Sequence, residues 1–569
     1  MREDRIISYI FHDGTGLLVE LRERRIRDPI YGYIYLSPIE RVIVDSDLVQ
    51  RLRSVRQLQV AHIVYPSATH TRFHHSLGVM HLGGMFAFNL IANTVAKLGF
   101  KLKELGIRDA RDLFSIMEGV RLSGLLHDLG HGPFSHAFDS AVIKESKKLY
   151  EAGIYNHEVL GYKLYQIYLR DLIRQETTKI NDVLDPDVVI ETMDYILAPH
   201  ELMGNMRGTR GIIKILRRVI RDAFFSADIL DFILRDSYYT GVIEYGTVDY
   251  RRLITNAYLI PPESPWGEFE IVFSDRVRDT IRNALFSRFW LYNSVYLHKT
   301  VRLFERDLKE LMGLLRPVFE QIILEAVERG HKDDFLRLTD DNLLEYFPEK
   351  YLEKDSDERK KAEEIISAIK RREKRWKLLH AEEVSLKPEI KDKVDKVLHD
   401  NKEKLKDPTE LRAYYEEKER ELGELIRELK ERVARIIKKY HDEIREEDIW
   451  IDLPPIKFVP IISHALVEGE PVIKFITTVP KKLKETKKLK ENLRNFIKEE
   501  RIGELLYAWP QIITPMRIYI RKSKELERIF GRLKRAMNQF IQTKDYANLR
   551  DRIIELQYMI ARLELPETA

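Results

Sequence analysis

The run Gly124-Leu-Leu-His127-Asp128-Leu-Gly-His131-Gly-Pro-Phe-Ser-His136-Ala-Phe138 constrains this chain more than any other stretch. It places three histidines and an aspartate in a segment that begins apolar and is then broken by glycine and proline. A helical start would put His127 and His131 on one face. Gly130, Gly132 and Pro133 end any such helix and send His136 in a new direction. Neutral imidazole and carboxylate hold Zn, Mn, Fe or Ni, and an adjacent His-Asp pair can give two ligands to one ion. The dipeptide occurs four times in the chain. His12-Asp13, His399-Asp400 and His441-Asp442 sit in polar or highly charged sequence and read as solvated surface. Only the pair at 127 follows an apolar run and is surrounded by glycine. Nine of the 17 histidines fall between His62 and His157. A satisfied core histidine accounts for any one of them, and poorly for the cluster.

Composition sets the outer bounds. A chain of 569 residues, 44% hydrophobic and 33% charged, is a soluble globular protein of two or three lobes. Its net charge of +4 demands neither nucleic acid nor a membrane surface. The absence of cysteine excludes disulfides, thiolate metal sites and cysteine nucleophiles. No apolar core of a signal peptide follows Met1-Arg-Glu-Asp-Arg5, and no uninterrupted apolar run approaches 18 residues. A cytoplasmic protein without a membrane partner is expected.

Along the chain, residues 1–36 read as N-terminal strands around the turn Asp13-Gly14-Thr15-Gly16, with a second turn at Asp28-Pro-Ile-Tyr-Gly32 and an alternating Tyr33-Ile-Tyr-Leu36. Residues 37–320 have apolar positions at three- and four-residue spacing and predict a nearly all-α core. Helix starts are expected at Ser37-Pro-Ile-Glu40 and over Arg51 to Gln59. Residues 321–449 form a charged helical region in which Leu422, Ile426, Leu429, Val433, Ile436 and Tyr440 make an amphipathic helix. That helix is expected to pack on its own chain or on an identical subunit. Residues 450–525 read as a small α+β lobe, with strands at Val472–Ile476 and Met516–Ile520 separated by a helix. A charged helix over 526–569 closes the chain. The fold class is mostly α.

Three further segments join the His-Asp run. Thr71-Arg72-Phe-His-His75-Ser-Leu-Gly78 offers His75 as a first ligand, and Asn156-His157-Glu158 sets a histidine beside a carboxylate. Asp228, Asp231, Arg235 and Asp236 lie on one predicted helix, with Asp228 and Asp236 near one face. Together these segments resemble the HD phosphohydrolase superfamily, whose pattern is His, then His-Asp, then a distant Asp. The likeness is closer to its branch of deoxynucleoside triphosphate triphosphohydrolases of the sterile-alpha-motif/HD type. Asp28-Pro-Ile-Tyr-Gly, Gln50-Arg-Leu-Arg53, Gln57-Leu58, Arg288 and Tyr296-Leu-His-Lys299 extend it, as do Trp450-Ile-Asp-Leu-Pro-Pro and Arg517-Ile-Tyr-Ile. The resemblance spans about residues 24 to 525, with no separate sterile-alpha-motif domain expected ahead of it.

The resemblance implies an HD helical core in which His75, His127, Asp128 and Asp228 hold one divalent ion, Mn, Fe, Zn, Ni or Mg, with an additional Mg accompanying the nucleotide. It implies hydrolysis of dNTPs to deoxynucleoside and triphosphate through water attack at the α-phosphate. His131 and His157 are then proton-transfer groups, Glu158 orients or charges His157, and His136 faces the phosphates or protonates the leaving group. For His136 and His157, structural support of the ligands is the alternative. Arg72 and Arg288 match positions that hold phosphates, which suits a planar guanidinium. Gln57, Leu58 and Asp236 match positions that enclose sugar and base, and Tyr296 matches the residue under the ribose. The same resemblance implies a homo-oligomer, dimer or tetramer. Asp45, Gln50 and Arg53 fall where a GTP or dNTP activator binds between subunits, with Arg24, Arg25 and Arg27 near its phosphates. Inter-subunit salt bridges without a ligand are the alternative there.

The chain departs from the family pattern at four places. Ile229 stands where the pattern has lysine, Phe232 where it has tyrosine, Leu297 where it has glutamine, and Arg27 where it has asparagine. The first two remove an ammonium and a hydroxyl from the phosphate tail. They motivate a second expectation, the same centre acting on another nucleotide phosphate ester, monophosphate or cyclic. A third is a low-turnover nucleotide- or nucleic-acid-binding oligomer, motivated by the arginines from Arg22 to Arg27 and by the charged helices.

Overall fold

The computed structural model describes residues 24–205, 208–221, 225–262, 267–401, 404–454, 472–476, 497–501 and 513–563. The strands and turn expected before residue 24, together with Arg22 and His12-Asp13, lie outside them. The described residues fall into two compact units. One is drawn from residues up to Ser367 plus Ile473–Glu499, the other from Ala368–Val472 plus Glu500–Glu567. Helices dominate, as the apolar periodicity predicts.

The first unit opens with an antiparallel hairpin, β1 (Arg24–Asp28) and β2 (Gly32–Leu36). Its turn holds Gly32 at φ +79°, a left-handed conformation that glycine adopts without strain. The expected helix start at Ser37 is present. Helix α1 (Pro38–Val44) has a capping box, in which Ser37 Oγ accepts from the Glu40 amide at 3.0 Å and Glu40 Oε2 accepts from the Ser37 amide at 2.8 Å. The helix expected over Arg51 to Gln59 is not formed. A short helix ends at Arg51, a 3-10 turn covers Leu52–Ser54, and Gln59 takes φ +51°. The segment instead pairs Arg56 with Thr71 in an isolated bridge, so its amides are satisfied across the chain rather than along it.

Two long helices follow, α2 (Arg72–Leu98) and α3 (Ala110–Leu126), packed on each other. Among the described residues α2 alone is long and apolar enough to cross a membrane, and 72% of its apolar window is buried inside the unit. It is the core helix, covered by α3, by α4 (Ala227–Thr240) and by strand β3 (Ala257–Ile260). β3 and β4 (Glu270–Ser274) pair antiparallel within the stretch expected to be nearly all α. All four residues of β3 are buried, and a short apolar run buried on both faces has no period by which to tell strand from helix.

The second unit contains a three-stranded sheet in the order β5 (Trp376–Ser385), β9 (Ile513–Arg521), β6 (Ile449–Asp452). β5 corrects the expectation of unbroken charged helix there. Trp376, Leu379 and Val384 are buried, while Glu382 is satisfied by Tyr546 and Arg550 and Glu383 is exposed, so the charged residues are accommodated within a strand. The segment 450–525 is divided: β6 and β9 belong to the second unit, whereas β7 (Val472–Ile476) pairs parallel with β4 in the first. Of the helix expected between β7 and β9, Ile497–Arg501 is a strand, β8, and the remainder lies outside the described residues. The amphipathic helix is present as α5 (Pro408–Lys438), packed on its own chain against α6 (Lys544–Leu563). Its fully buried seam is Leu425, Leu429, Val433 and Ile437, offset from the expected one, and Tyr440 lies beyond its end, exposed. The closing charged segment is two helices, Lys524–Phe540 and α6, rather than one.

One buried cluster fixes α3, and with it His127 at the end of that helix. Arg121 of α3 bonds Glu40 through two nitrogens, at 2.5 and 2.9 Å, and donates to the Tyr35 carbonyl at 2.8 Å. Glu118, one turn earlier, meets Ser37 Oγ at 2.5 Å. Burial, then the nearby Glu40 charge, pushes the Glu118 carboxyl up to about 8. An unfolded glutamate loses its proton near pH ~4.3, so between that pH and about 8 the folded chain binds a proton that the unfolded chain has lost. Stability therefore falls as pH rises through that window. Glu118→Gln should flatten the decline in thermal midpoint between pH 5 and pH 8. Equal slopes for both chains would show that Glu118 is not the proton holder.

Candidate active site

Three helix ends converge beneath the glycine-rich run. His75 lies in the first turn of α2, and Asp228 in the first turn of α4, where the helix dipole favours a carboxylate. His127 is the residue that caps the C-terminus of α3. His127 and His131 therefore do not share a helix face, as a continued helix would require. The helix stops at Leu126 and His131 sits in the turn beyond it.

The four expected ligands meet. His75 Nε2 lies 2.9 Å from Asp228 Oδ1 and 3.7 Å from Asp128 Oδ2. His127 Nε2 lies 3.4 Å from Asp128 Oδ2 and 3.8 Å from Asp228 Oδ1. Donor atoms of His75, His127 and Asp128 all fall within 4.8 Å of one another. Each imidazole is oriented by its other nitrogen: His127 Nδ1 bonds the Gly124 carbonyl at 2.8 Å, and His75 Nδ1 bonds Asp231 Oδ2 at 2.8 Å. His127 Nε2 is buried without a hydrogen-bond partner, and burial lowers the pKa of the ring, leaving a neutral lone pair aimed at two carboxylates. Burial opposes charge on His75 too, yet its bonds to Asp228 and Asp231 prevail and raise it to about 10. A proton held that tightly between carboxylates marks a place where a cation is stabilised. The donor set fits a divalent metal.

Asp231 ties this centre to the hairpin. Arg235 bonds both its oxygens, at 2.9 and 3.0 Å, and reaches Asp28 at 2.8 Å; Tyr31 Oη donates to Asp231 Oδ1 at 2.7 Å. The motif Asp28-Pro-Ile-Tyr-Gly32 is thus a strut for His75. Asp128 pairs with Arg72, whose Nε also donates to Ser135 Oγ at 2.9 Å. Burial opposes ionisation of Asp128, and the Arg72 guanidinium overcomes it, holding the carboxyl well below the usual range.

A second cluster adjoins the first. His131, His136 and His157 present Nδ1 to Asp139 Oδ2 at 3.2, 3.4 and 2.8 Å, and the His131 and His157 rings stack with centroids 3.7 Å apart. His131 Nε2 also stands 3.5 Å from Asp128 Oδ1, linking the clusters. Asp139 was not anticipated. Its one sequence signal is an acidic residue in the apolar run Phe138–Ile143, three positions after His136. Glu158 does not face His157: it pairs with Arg221 at 2.9 Å, and that guanidinium reaches toward the His127 carbonyl at 3.3 Å. Consecutive helical residues point about 100° apart, so the two could not share a target.

The proposed sugar-facing residues also come together. Asp236 receives His70 Nε2 at 2.8 Å and the Tyr296 hydroxyl at 2.5 Å, and His70 is a second residue the sequence reading missed. Arg288 lies over Phe232 at 6.0 Å, and Phe232 meets Tyr296 edge-on. The Gln57 amide donates to the His70 carbonyl at 3.1 Å, its side-chain Oε1 is buried without a partner, and Leu58 is buried. Leu297 is buried as well. Away from this centre, Asp45 pairs with Arg24 at 2.5 Å, Arg53 Nε donates to Gln50 Oε1 at 2.8 Å and covers Phe73, and Arg25 and Arg27 both approach Tyr33 at 4.7 Å.

Gly78 makes the meeting of α2 and α4 possible. A Cβ there would lie 1.9 Å from Asp231 Oδ1 and 2.6 Å from an Arg235 nitrogen. Gly78→Ala should destabilise the chain by about 3 kcal/mol, the upper range for overpacking, read as a lower denaturation midpoint. A midpoint equal to that of the parent would mean the network yields freely.

Known proteins share sequence with this chain. The HD domain family matches residues 72–199. An uncharacterised protein of Methanocaldococcus jannaschii is 30% identical over 326 residues, 56% of each chain. The deoxynucleoside triphosphate triphosphohydrolase SAMHD1 of Homo sapiens is 28% identical over 287 residues, 48% of this chain and 42% of its own. That of Gallus gallus is 26% identical over 366 residues, 61% and 54% respectively. The chain thus spans about half the length of these relatives. Residues 72–199 are an HD domain, and the chain that carries them resembles the deoxynucleoside triphosphate triphosphohydrolase branch of the HD phosphohydrolase superfamily.

Proposed function

We propose that this protein is a metal-dependent phosphohydrolase that converts dNTPs to deoxynucleoside and triphosphate. The observation that carries the reading is the convergence of His75, His127, Asp128 and Asp228, with His127 Nε2 buried and unpartnered among them. These four residues would hold one divalent cation, which supplies Lewis acidity, easing deprotonation of water and offsetting charge on the phosphoryl oxygens. The remaining roles fall to the chain. Arg72 and Arg288 are the guanidinium groups for the phosphates, Arg72 exchanging part of its bond to Asp128 for a phosphoryl oxygen. A water oxygen bonds to Pα while the Pα–O5′ bond breaks, so triphosphate keeps the new oxygen and O5′ takes up a proton. His131 and His157 move these protons, with the Asp139 carboxylate as their shared counter-charge. His136, exposed at the edge of this cluster, meets the leaving group or the phosphates. Asp236 and Tyr296 receive the sugar, the Tyr296 ring crowding a 2′-hydroxyl, and Gln57 and Leu58 border it. Glu158 acts on the His127 turn through Arg221.

A specific observation favours a second reading, the same centre acting on a shorter nucleotide phosphate ester. Ile229 is buried, and Phe232 turns its ring to Tyr296 and Arg288, so neither offers a donor to a β- or γ-phosphate. Chromatography of each dNTP, NTP and NMP after incubation with Mn²⁺ or Mg²⁺ separates the two. Deoxynucleoside plus triphosphate is the expected product; turnover of monophosphates alone selects the second reading. Asp128→Ala should bring turnover to background and lower the bound Mn²⁺. Parent activity in that variant would remove the site.

A further inference from the structure

The turn that carries His131 and His136 cannot hold its own shape. Between Asp128 and Ser135 it makes only isolated turn bonds, from the His131 amide to the Asp128 carbonyl and from the Ser135 amide to the Gly132 carbonyl. Phe134 and Ser135 take φ of +52° and +54°, the left-handed region that side-chain-bearing residues rarely adopt. Two residues in succession need an outside constraint.

That constraint comes from a segment about two hundred residues downstream, after the helix Lys299–Glu328. Asp340 is buried at 2% exposure, and each of its oxygens accepts a backbone amide: Oδ1 from Phe134 at 2.7 Å, Oδ2 from Arg56 at 3.0 Å. The Arg56 carbonyl accepts from Ser135 Oγ at 2.7 Å, and Ser135 Oγ accepts from Arg72 Nε at 2.9 Å. One carboxylate therefore pins Phe134 directly and Ser135 through Arg56. Two residues earlier in the downstream segment, the Leu338 carbonyl takes an Arg51 nitrogen at 3.0 Å. The other end of that guanidinium bonds the carbonyls of Leu129 and His131 at 2.9 and 2.7 Å, over the Phe335 ring.

We propose that Asp340 is a positioning residue of the candidate active site, fixing the left-handed turn from which His131 and His136 project, with Arg51 clamping the opposite end of the same turn to the same segment. The inference deepens the hydrolase reading and rests on it. Asp340 touches neither the four ligands nor the substrate-facing arginines. Its removal should alter the placement of His131 and His136 and loosen Ser135 beside Arg72, while leaving the four metal ligands and the sugar contacts in place.

The test uses the full chain with Mn²⁺ and whichever dNTP the parent hydrolyses. Asp340→Ala should lower kcat by about a hundredfold, the cost of a displacement near 1 Å, with bound Mn²⁺ close to the parent value and KM changed far less than kcat. Hydrogen exchange read by mass spectrometry should speed up in the peptide spanning residues 129–138 and not in peptides from α2 or α3. Asp340→Asn keeps a side-chain oxygen for the Phe134 amide and should recover most of kcat and of the protection. Parent-like exchange and kcat in Asp340→Ala overturn the proposal. So does an Asp340→Asn chain with parent-like exchange but no turnover, which would assign the effect to charge; this second variant also decides the matter if the first does not fold. A parent chain that hydrolyses no dNTP, with exchange faster in Asp340→Ala, would sink the substrate reading and keep the anchor.

Discussion

The carboxylate of Asp231 is the interaction on which the rest of this structure depends. It is fully buried and bonds His75, Arg235 and Tyr31, so one side chain joins α2, α4 and the turn of the hairpin. Burying ions costs several kcal/mol each, on the order of what a single broken pair would forfeit, and only complete hydrogen bonding offsets it. Here the set is complete: Arg235 spans two aspartates, and Asp28 also accepts the amides of Ile30 and Tyr31. Hydrophobic packing alone would let α2 slide along α4. The ion network, entered through the gap left by Gly78, gives the two helices one register, and that register sets where His75 and Asp228 meet.

A second constraint acts on the turn after α3. Gly130 and Gly132 allow backbone and ring to approach closely, since a Cβ on the first would lie 2.0 Å from the His157 carbonyl and on the second 2.4 Å from the Phe138 ring. Two left-handed residues follow, at a cost of about 1–3 kcal/mol each. The outcome is a turn that could not persist in isolation and is shaped by Arg51, Arg56, Arg72 and Asp340. Strain concentrated beside the histidine cluster, with its compensation supplied from outside, is the pattern expected where side-chain placement matters more than local stability.

Much of this was legible in the chain because short-range order carries it. Histidine next to aspartate after an apolar run, glycine where helices stop, and Ser37 three residues before Glu40 each encode a local event. Helical periodicity made the mostly α class readable for the same reason. What went unseen depends on distant partners. Asp139 looks like an ordinary polar interruption until three imidazoles converge on it. His70 is one histidine among many until its nitrogen meets Asp236. Glu158 seems paired with its neighbour until Arg221 claims it. The strand Trp376–Ser385 hid in charged sequence because a bulge after Leu378 breaks its alternation and its partner, β9, lies more than a hundred residues away.

By itself, then, the sequence determined which residue types gather near the centre, the helical class, and the capped helix start at Ser37, since these follow from spacing and local propensity. Only the tertiary structure decided which nitrogen faces which carboxylate and which carboxylate serves the histidines. It alone decided which remote segment holds the turn in an unfavourable conformation. Those outcomes are set by desolvation and by hydrogen-bond geometry between groups far apart along the chain, and both exist only once the chain has folded.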